Sequence, residues 1–498
     1  MKKSVPFALL TVAAVSAASS VAAKTAKPSH PNVIVILVDD QGYGGINCNP
    51  HTKRHVTPAV DALALSGVRC TQGYVSGYFS SPSRAGLLTG KYQQSFGFYS
   101  LDTPSAGGIP ASEKLVSEYL LEAGYSTACF GKWHVGDNIR NHPNNRGFQH
   151  FFGFLNGLHD YFDPLIGGSW EGTHNGLSFM LDNMEPATHM KYSTYEFTDR
   201  AVNFIRDNAS GPFFLYLPYN AIHSPLQAPD ELIAEFADNP ASPSKDDRIR
   251  AMTAAVDRGV GKIVSTLEEL KIREKTIIFY LSDNGGTANG DNWELRGQKG
   301  SNFEGGIRIP FIVSYPGVIP AGGVYTQPVI TLDVAPTVMT LAGAPCPGMH
   351  GVDLLPYLCG QKKTPPHEAL YWSSNKMKGN PSNPASHDFA IRQGRWKLTS
   401  DITIVKDCNL YDLDADPRER VGLKDKYPDK YRELFAMYLA WKSKMPDEIY
   451  HTSGNARLKG AMLMRKYQQN LRKEGKKPIP LGFGPLQGGA ATDDGDDE

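Results

Sequence analysis

Several scarcities narrow the class of this chain before any motif is read. Six cysteines stand among 498 residues (Cys48, Cys70, Cys129, Cys346, Cys359 and Cys408). None has a C-x-x-C partner, which argues against a structural zinc module. After the first residues no segment is continuously apolar for about 18 residues, the length a membrane-spanning helix needs, so no membrane span is expected. Charge of one sign is missing as well. Lysine plus arginine number 51, as do aspartate plus glutamate, and no global field selects nucleic acid or an anionic surface. No internal repeat, lysine-bearing phosphate loop or glycine-flanked nucleophilic serine is present.

What is present is a long globular chain, 41% hydrophobic and 10% aromatic, large enough for two domains or one domain with an appendage. Residues 1–23 carry Lys2 and Lys3, an apolar run and the small-residue end Val21-Ala22-Ala23. That is the pattern of a cleaved secretory signal, and it implies a bacterial periplasmic or secreted protein. Export permits disulfides, and Cys346 with Cys359 is the nearest pair in sequence and the one expected to bridge if any does. Buried free thiols are the alternative.

Continuous apolar runs then alternate with helical patterns. Asn32–Val38, 125–130, 212–217, 276–281 and 310–315 read as strands buried on both faces. Thr57-Pro58 opens a helix that Gly67 stops, and 113–124 reads as another. Ile249, Met252, Val256, Val260, Ile263 and Leu267 fall at helical intervals on a long amphipathic helix. Such alternation indicates an α/β fold, a mostly parallel sheet flanked by helices, with ligands gathered outside the carboxyl ends of the strands. After about residue 365 the texture changes to short strands at 370–372, 389–393, 396–399 and 409–413 and a helix at 430–444, with a Ser/Asn/Pro-rich loop at 373–386. This predicts a smaller C-terminal α+β unit with an antiparallel sheet. The expected division is 24–365 and 366–454, followed by a basic then acidic tail, 455–498, partly disordered.

Polar clusters stand just after the strands. Asp39-Asp40 and Asp283-Asn284 would bring three carboxylates and an amide oxygen to one place, a hard-oxygen set that suits Ca²⁺ or Mg²⁺ rather than zinc; as isolated pairs they also read as turn residues. Lys132 and His134, two apart on an extended end, point the same way. With His223 and Lys299 they make an anion-binding pocket plausible on chemical grounds.

The stretch Ser80-Ser81-Pro82-Ser83-Arg84-Ala85-Gly86-Leu87-Leu88-Thr89-Gly90 resembles the signature of the type I sulfatases. The order of the other motifs from about 32 to 365, including Glu304-Gly305-Gly306-Ile307-Arg308-Ile309-Pro310, is similar to that family as well, as is Tyr411-Asp412-Leu413 further on. The resemblance implies an alkaline-phosphatase-like fold and oxidation of Ser80 to formylglycine (3-oxoalanine) by a maturation enzyme that accepts serine. It also implies one Ca²⁺ held by Asp39, Asp40, Asp283, Asn284 and the modified position 80. In the implied chemistry the hydrated aldehyde attacks sulfur with help from the metal and Arg84, while Lys132, Lys299 and the metal absorb sulfuryl charge. His223, with Lys299, protonates the leaving oxygen, and His134 takes the proton that expels sulfate.

Export and the aromatics Trp133, Tyr161, Phe162 and Trp293 suggest a sulfated glycan such as mucin, glycosaminoglycan or algal galactan, cleaved by an exo-acting enzyme. His159 and Trp293 are the residues expected to meet the sugar. Two alternatives stand beside this: a phosphatase or phosphonate monoester hydrolase of the same superfamily, and a non-catalytic sulfated-glycan-binding homologue.

Overall fold

A computed structural model describes residues 30–52, 56–99, 108–165, 179–288, 290–374, 388–400 and 408–446. The expected signal, the tail and nearly all of the 373–386 loop lie outside the described residues. The elements in chain order begin β1 (Asn32–Val38), α1 (Pro58–Leu65), β2 (Val68–Cys70), β3 (Gly73–Tyr74), α2 (Ser80–Thr89), α3 (Val116–Glu122), β4 (Ser126–Lys132) and β5 (His150–Phe154). Next come β6 (Leu181–Asp182), β7 (Glu185–Pro186), α4 (Ser193–Asp207), β8 (Phe213–Pro218), α5 (Asp230–Ala234), α6 (Lys245–Glu269) and β9 (Thr276–Ser282). Then follow α7 (Glu304–Ile307), β10 (Arg308–Ile309), β11 (Phe311–Ser314), β12 (Gly323–Tyr325), β13 (Val329–Ile330), α8 (Val334–Leu341) and α9 (Leu355–Leu358). The last are β14 (Leu370–Ser374), β15 (Asp388–Gln393), β16 (Trp396–Ser400), β17 (Asn409–Asp412) and α10 (Pro428–Lys442).

A ten-stranded sheet of order β12-β2-β11-β9-β1-β8-β4-β5-β6-β7 organises the larger part. Its centre is parallel: β1 pairs with β8 and β9, and β4 with β8 and β5. The sequence of β1 explains why it lies there. All seven residues are buried, and alternate side chains enter opposite cores. Val33, Val35 and Leu37 pack on the face covered by α2, α3 and α8; Ile34, Ile36 and Val38 pack on the face covered by α1, α4, α5 and α6. Each such burial contributes about 1.5–3 kcal/mol, which sets the strand firmly enough to carry two aspartates at its end.

Several boundaries differ from the sequence expectation for local reasons. The 113–124 helix is limited to α3, because the Glu118 carboxylate accepts from the Leu115 N–H at 2.7 Å and caps the start there. Strand β4 runs past Phe130 to Lys132, because Gly131 lies so close to β8 that a Cβ would stand 1.9 Å from the Pro218 carbonyl oxygen. Strand β11 is antiparallel to β9, so the sheet is mixed at that edge. Cys346 and Cys359 are both unbridged. Their sulfurs face different carbonyls, Pro336 and Ala344 for the first and Val318 for the second, so the expected pairing is corrected.

Strands β10-β3-β13 form a small second sheet, and β14-β15-β16-β17 an antiparallel four-stranded one. The latter packs α10 on its own apolar cluster, with Phe389, Ile391, Leu398 and Leu410 against Leu434 and Tyr438. Among the described residues no helix is long and apolar enough to cross a membrane.

Candidate active site

Four neighbouring strands, β9, β1, β8 and β4, end on the same side of the sheet, and each hands a polar residue to that rim. Asp39 and Asp40 follow β1, Asp283 and Asn284 follow β9, His223 lies just beyond β8, and Lys132 closes β4. Asp40 takes a left-handed backbone (φ 62°), which turns its carboxylate away from the strand direction. Backbone bonds knit the ends together: Asp39 N–H to the Ala221 carbonyl at 2.9 Å, and Asp283 N–H to that of Val38 at 3.2 Å.

Helix α2 brings Ser80 and Arg84. Ser80 is its first residue and Pro82 its third, where an N–H would have no helical partner and proline costs nothing. Gly90 closes the helix in the left-handed conformation (φ 66°). Every residue of α2 is buried. The segment expected from its motif is thus the opening of a buried helix whose positive end faces the carboxylates.

The geometry is tight. Ser80 Oγ donates to Asn284 Oδ1 at 3.1 Å and to Asp39 Oδ1 at 3.4 Å, and Lys299 Nζ approaches Ser80 Oγ at 3.5 Å. Lys132 Nζ donates to Asp39 Oδ2 and Lys299 Nζ to Asp40 Oδ1, both at 2.5 Å. Arg84 donates to Asp283 Oδ2 from Nε (3.0 Å) and Nη2 (2.7 Å), and from Nη1 to the Lys132 carbonyl at 2.9 Å. Its guanidinium therefore braces β9 against β4. His223 Nε2 lies 3.7 Å from Asp40 Oδ2, and its Nδ1 faces the Ser224 carbonyl at 2.8 Å.

Charge and burial shift these groups together. Burial alone would raise Asp39 and Asp40, but Lys132 beside the first and Lys299 beside the second, with His223 near both, hold them below the usual carboxylate range. Lys132 is pushed down by burial despite Asp39, while Lys299 is raised against burial by Asp40, Asp39 and Asp283. Burial and the cations Lys132, Arg84 and Lys299 push His134 well down, and burial pushes His223 down against the pull of Asp39.

Ligand atoms of Asp39, Asp40 and His223 lie within 4.8 Å of one another. Asn284 turns Oδ1 to Ser80 and donates from Nδ2 to Asp40 Oδ1 at 2.8 Å. Three carboxylates, an amide oxygen and no thiolate form a donor set that fits a hard divalent cation. His223, read from the sequence as the proton donor, lies at the edge of this set.

Not every candidate arrives as expected. His134 takes a left-handed backbone (φ 57°), so it does not continue the extended alternation that would align it with Lys132. Its ring instead occupies the space left by Gly157, where a Cβ would lie 2.7 Å from Cε1. His159 is 1% exposed, its ring 5.0 Å from that of Phe154, so it is a core residue and offers a sugar no surface. Trp133 is buried and donates to the Asn141 carbonyl at 2.8 Å. Trp293 is half-buried against Tyr43, ring centroids 6.4 Å apart, and its neighbour Asn292 holds Gly286 through both backbone groups (2.8 and 3.0 Å). Tyr161 does work that the sequence did not show. Its buried hydroxyl meets the carbonyls of Asn220 (2.6 Å) and His223 (2.8 Å), pinning the loop that carries the imidazole. A groove of about 850 Å³ elsewhere, beside α4, is lined by none of the cluster residues; its Arg200, Lys191 and Lys262 are already paired with acids.

Comparison with known proteins adds a lineage to this geometry. The family model described as Sulfatase matches residues 31–344, and that of the N-sulphoglucosamine sulphohydrolase C-terminal region matches 298–441. The chain is 33% identical over 363 residues to N-acetylgalactosamine-6-sulfatase of Canis lupus familiaris, covering 68% of this chain and 67% of that protein. It is 31% identical over 447 residues to steryl-sulfatase of Homo sapiens, covering 72% and 75%. Among solved structures, Ps i-CgsB in complex with k-i-k-neocarrahexaose superposes with a TM-score of 0.77 at 31% identity, covering 89% of this chain and all (100%) of that one.

Proposed function

The chain belongs to the sulfatase family, enzymes that hydrolyse sulfuric esters, and from that premise we propose that it removes sulfate monoesters from a glycan as an exo-acting carbohydrate sulfatase. Ser80 is the residue oxidised to formylglycine by a serine-accepting maturation enzyme, and Asp39, Asp40, Asp283 and Asn284 hold one Ca²⁺. The observation that carries this is the place of Ser80 Oγ, between Asn284, Asp39 and Lys299 at the mouths of four adjacent strands. The residues 1–23 further suggest a periplasmic or secreted enzyme, and the relative solved with neocarrahexaose supports a saccharide substrate.

When bound, the cation offsets the mutual repulsion of the three carboxylates, and the hydrated aldehyde supplies an oxygen nucleophile that an ordinary serine hydroxyl does not. The chain's own groups do the rest. Lys132 and Lys299 flank Ser80 from β4 and from the loop before α7 and bind the charged oxygens of a tetrahedral anion. Arg84 keeps Asp283 and the end of β4 in register. His223 presents Nε2 to the pocket because Nδ1 is engaged by the Ser224 carbonyl. An arriving anion raises the affinity of that imidazole for a proton, so Nε2, with Lys299, can protonate the leaving oxygen. His134, with Nδ1 unpartnered among the described residues, is the candidate to take a proton up. Trp293 is the remaining candidate for sugar contact.

The test is co-expression with a serine-accepting maturation enzyme, the intact mass of the peptide containing Ser80, and sulfate release from a panel of defined sulfated saccharides. Loss of two hydrogens together with sulfate release is the expected result. Turnover by a chain whose Ser80 is unaltered would remove the aldehyde. Cleavage of phosphate esters without sulfate release would move the chain to a phosphatase or phosphonate hydrolase role, and binding without turnover to a glycan-binding one.

A further inference from the structure

A second set of buried charges lies away from the strand ends, and its contacts lead back to them. Glu304, Lys397 and Glu419 are fully buried. Lys397 Nζ donates to Glu304 Oε1 at 2.9 Å and lies 2.9 Å from Glu419 Oε1, while the Glu304 N–H donates to Glu419 Oε2 at 2.7 Å. The hydroxyl of Tyr74 donates to Glu304 Oε2 at 2.7 Å, Arg308 approaches the same oxygen at 3.5 Å, and Arg392 bonds the Tyr74 hydroxyl. Lys397 and Arg392 come from β16 and β15, and Glu419 follows β17. Glu304 opens α7, a few residues after Lys299.

From Glu304 the path to the reacting groups is backbone against backbone. Gly305 N–H donates to the Arg296 carbonyl at 2.7 Å, and Gly285, next to Asn284, donates to the Gly306 carbonyl at 3.0 Å. A Cβ on Gly285 would stand 1.9 Å from the Gly305 oxygen, and one on Gly306 2.0 Å from that of Ser301. Lys299 N–H donates to the Gly286 carbonyl and Gly300 N–H to that of Tyr78, both at 2.9 Å. Arg296 returns to the small sheet through the Glu419 carbonyl at 2.8 Å. A shift at Glu304 has no slack to disappear into before it reaches Asn284 and Lys299.

Apolar contacts would hold the two units together with less desolvation cost. Two carboxylates divided by one ammonium add direction instead, because Lys397 Nζ lies 2.9 Å from one oxygen of each. We propose that Lys397 and Glu419 are positioning residues, through which the small sheet fixes Asn284 and the Lys299 ammonium around Ser80; this rests on the strand-end cluster being the reacting centre.

The full-length chain is compared with Glu419→Gln and with the charge-balanced double variant Lys397→Met/Glu419→Gln, which keeps the test open if either one folds poorly. Expected is a fall in kcat for sulfate release of about tenfold to a hundredfold with KM changed less than about threefold. Backbone hydrogen exchange should also accelerate at 283–286 and 296–306. Wild-type kcat per folded molecule, with faster exchange confined to β14–β17, would overturn the proposal, since the charges would then serve stability alone. Wild-type protein that releases no sulfate, while exchange at 283–286 and 296–306 still responds to the variants, would remove the functional assignment and leave the positioning intact.

Discussion

The strand-end cluster and the cluster beneath the small sheet are built from the same materials and differ in what is left over. Around Ser80, three aspartates face Lys132, Arg84 and Lys299; under the small sheet, Glu304 and Glu419 face Lys397, with Arg308 and Arg392 at the margin. The first is open to solvent at one side, where the side chains of Lys299 and His223 are 16% and 15% exposed. Lys397, Glu304 and Glu419 are at 0%. The titration directions follow. Burial would raise Glu304, but Lys397, Arg392 and Arg308 hold it low, whereas burial with the charge of Glu304 pushes Glu419 up. A buried ionic cluster becomes a site where an amide oxygen, a hydroxyl and a partly exposed imidazole stand among the charges, and a strut where every charge has its neighbour.

Substitutions can break that contrast. The largest effect belongs to Ser80→Ala, which should lower sulfate release by at least about a thousandfold while changing unfolding free energy by under ~1 kcal/mol; a tenth of wild-type turnover would take Ser80 out of the reaction. Lys397→Met does the reverse and leaves two carboxylates buried without their cation. Denaturant unfolding should show a loss of about 3–5 kcal/mol, and a loss below ~1 kcal/mol would mean that Glu304 and Glu419 find other partners.

The proposed calcium should separate the clusters by binding. At a hundred times its dissociation constant it should stabilise the strand-end cluster by about 2.7 kcal/mol, and Asp40→Asn should abolish the shift in melting temperature. No shift in the wild type would mean that the lysines alone balance these carboxylates. Tyr161→Phe removes one hydroxyl from the His223 loop and should cost about 1 kcal/mol, roughly fivefold in kcat, with little change in KM. Unchanged kcat would make the ring a packing residue only.

The smallest effect tests a third buried pair, in which His367 Nε2 lies 2.9 and 3.0 Å from the two oxygens of Asp333. Burial lowers this imidazole, but Asp333 outweighs it and holds the pKa above the ordinary value. The folded state therefore binds the proton more tightly than the unfolded chain. The stabilisation is complete below about pH 6.5 and is lost as pH rises through the folded value. His367→Gln should cost about 1 kcal/mol near pH 5.5, with the difference shrinking above neutrality. A pH-independent difference would show that the ring is uncharged throughout.

Much of this was legible from residues alone, and what escaped did so for physical reasons. Strand β1 matched its apolar run residue for residue, and the 3–4 spacing from Ile249 to Leu267 falls inside α6, because both patterns record burial directly. Asp39, Asp40, Asp283, Asn284, Lys132 and His223 converge because parallel strands deliver their ends to one rim, while Ser80 joins from α2 and Lys299 from the loop before α7. Two-residue strands such as β3 and β10 leave no periodicity to read. The left-handed turn at His134 has no signal in a Trp-His dipeptide. Lys397, Glu304 and Glu419 are of types that usually stand on surfaces, and their burial arises only when segments 93 and 115 positions apart meet.

The burial of α2 also orders events in time. Ser80 is 1% exposed, and the turn that follows it is equally enclosed. A second protein could seat this segment in its own cleft only while the surrounding strands are still apart. Under the proposed maturation, oxidation would be a once-only step of biogenesis: a molecule that closed with its hydroxyl unaltered would stay silent until it unfolded again.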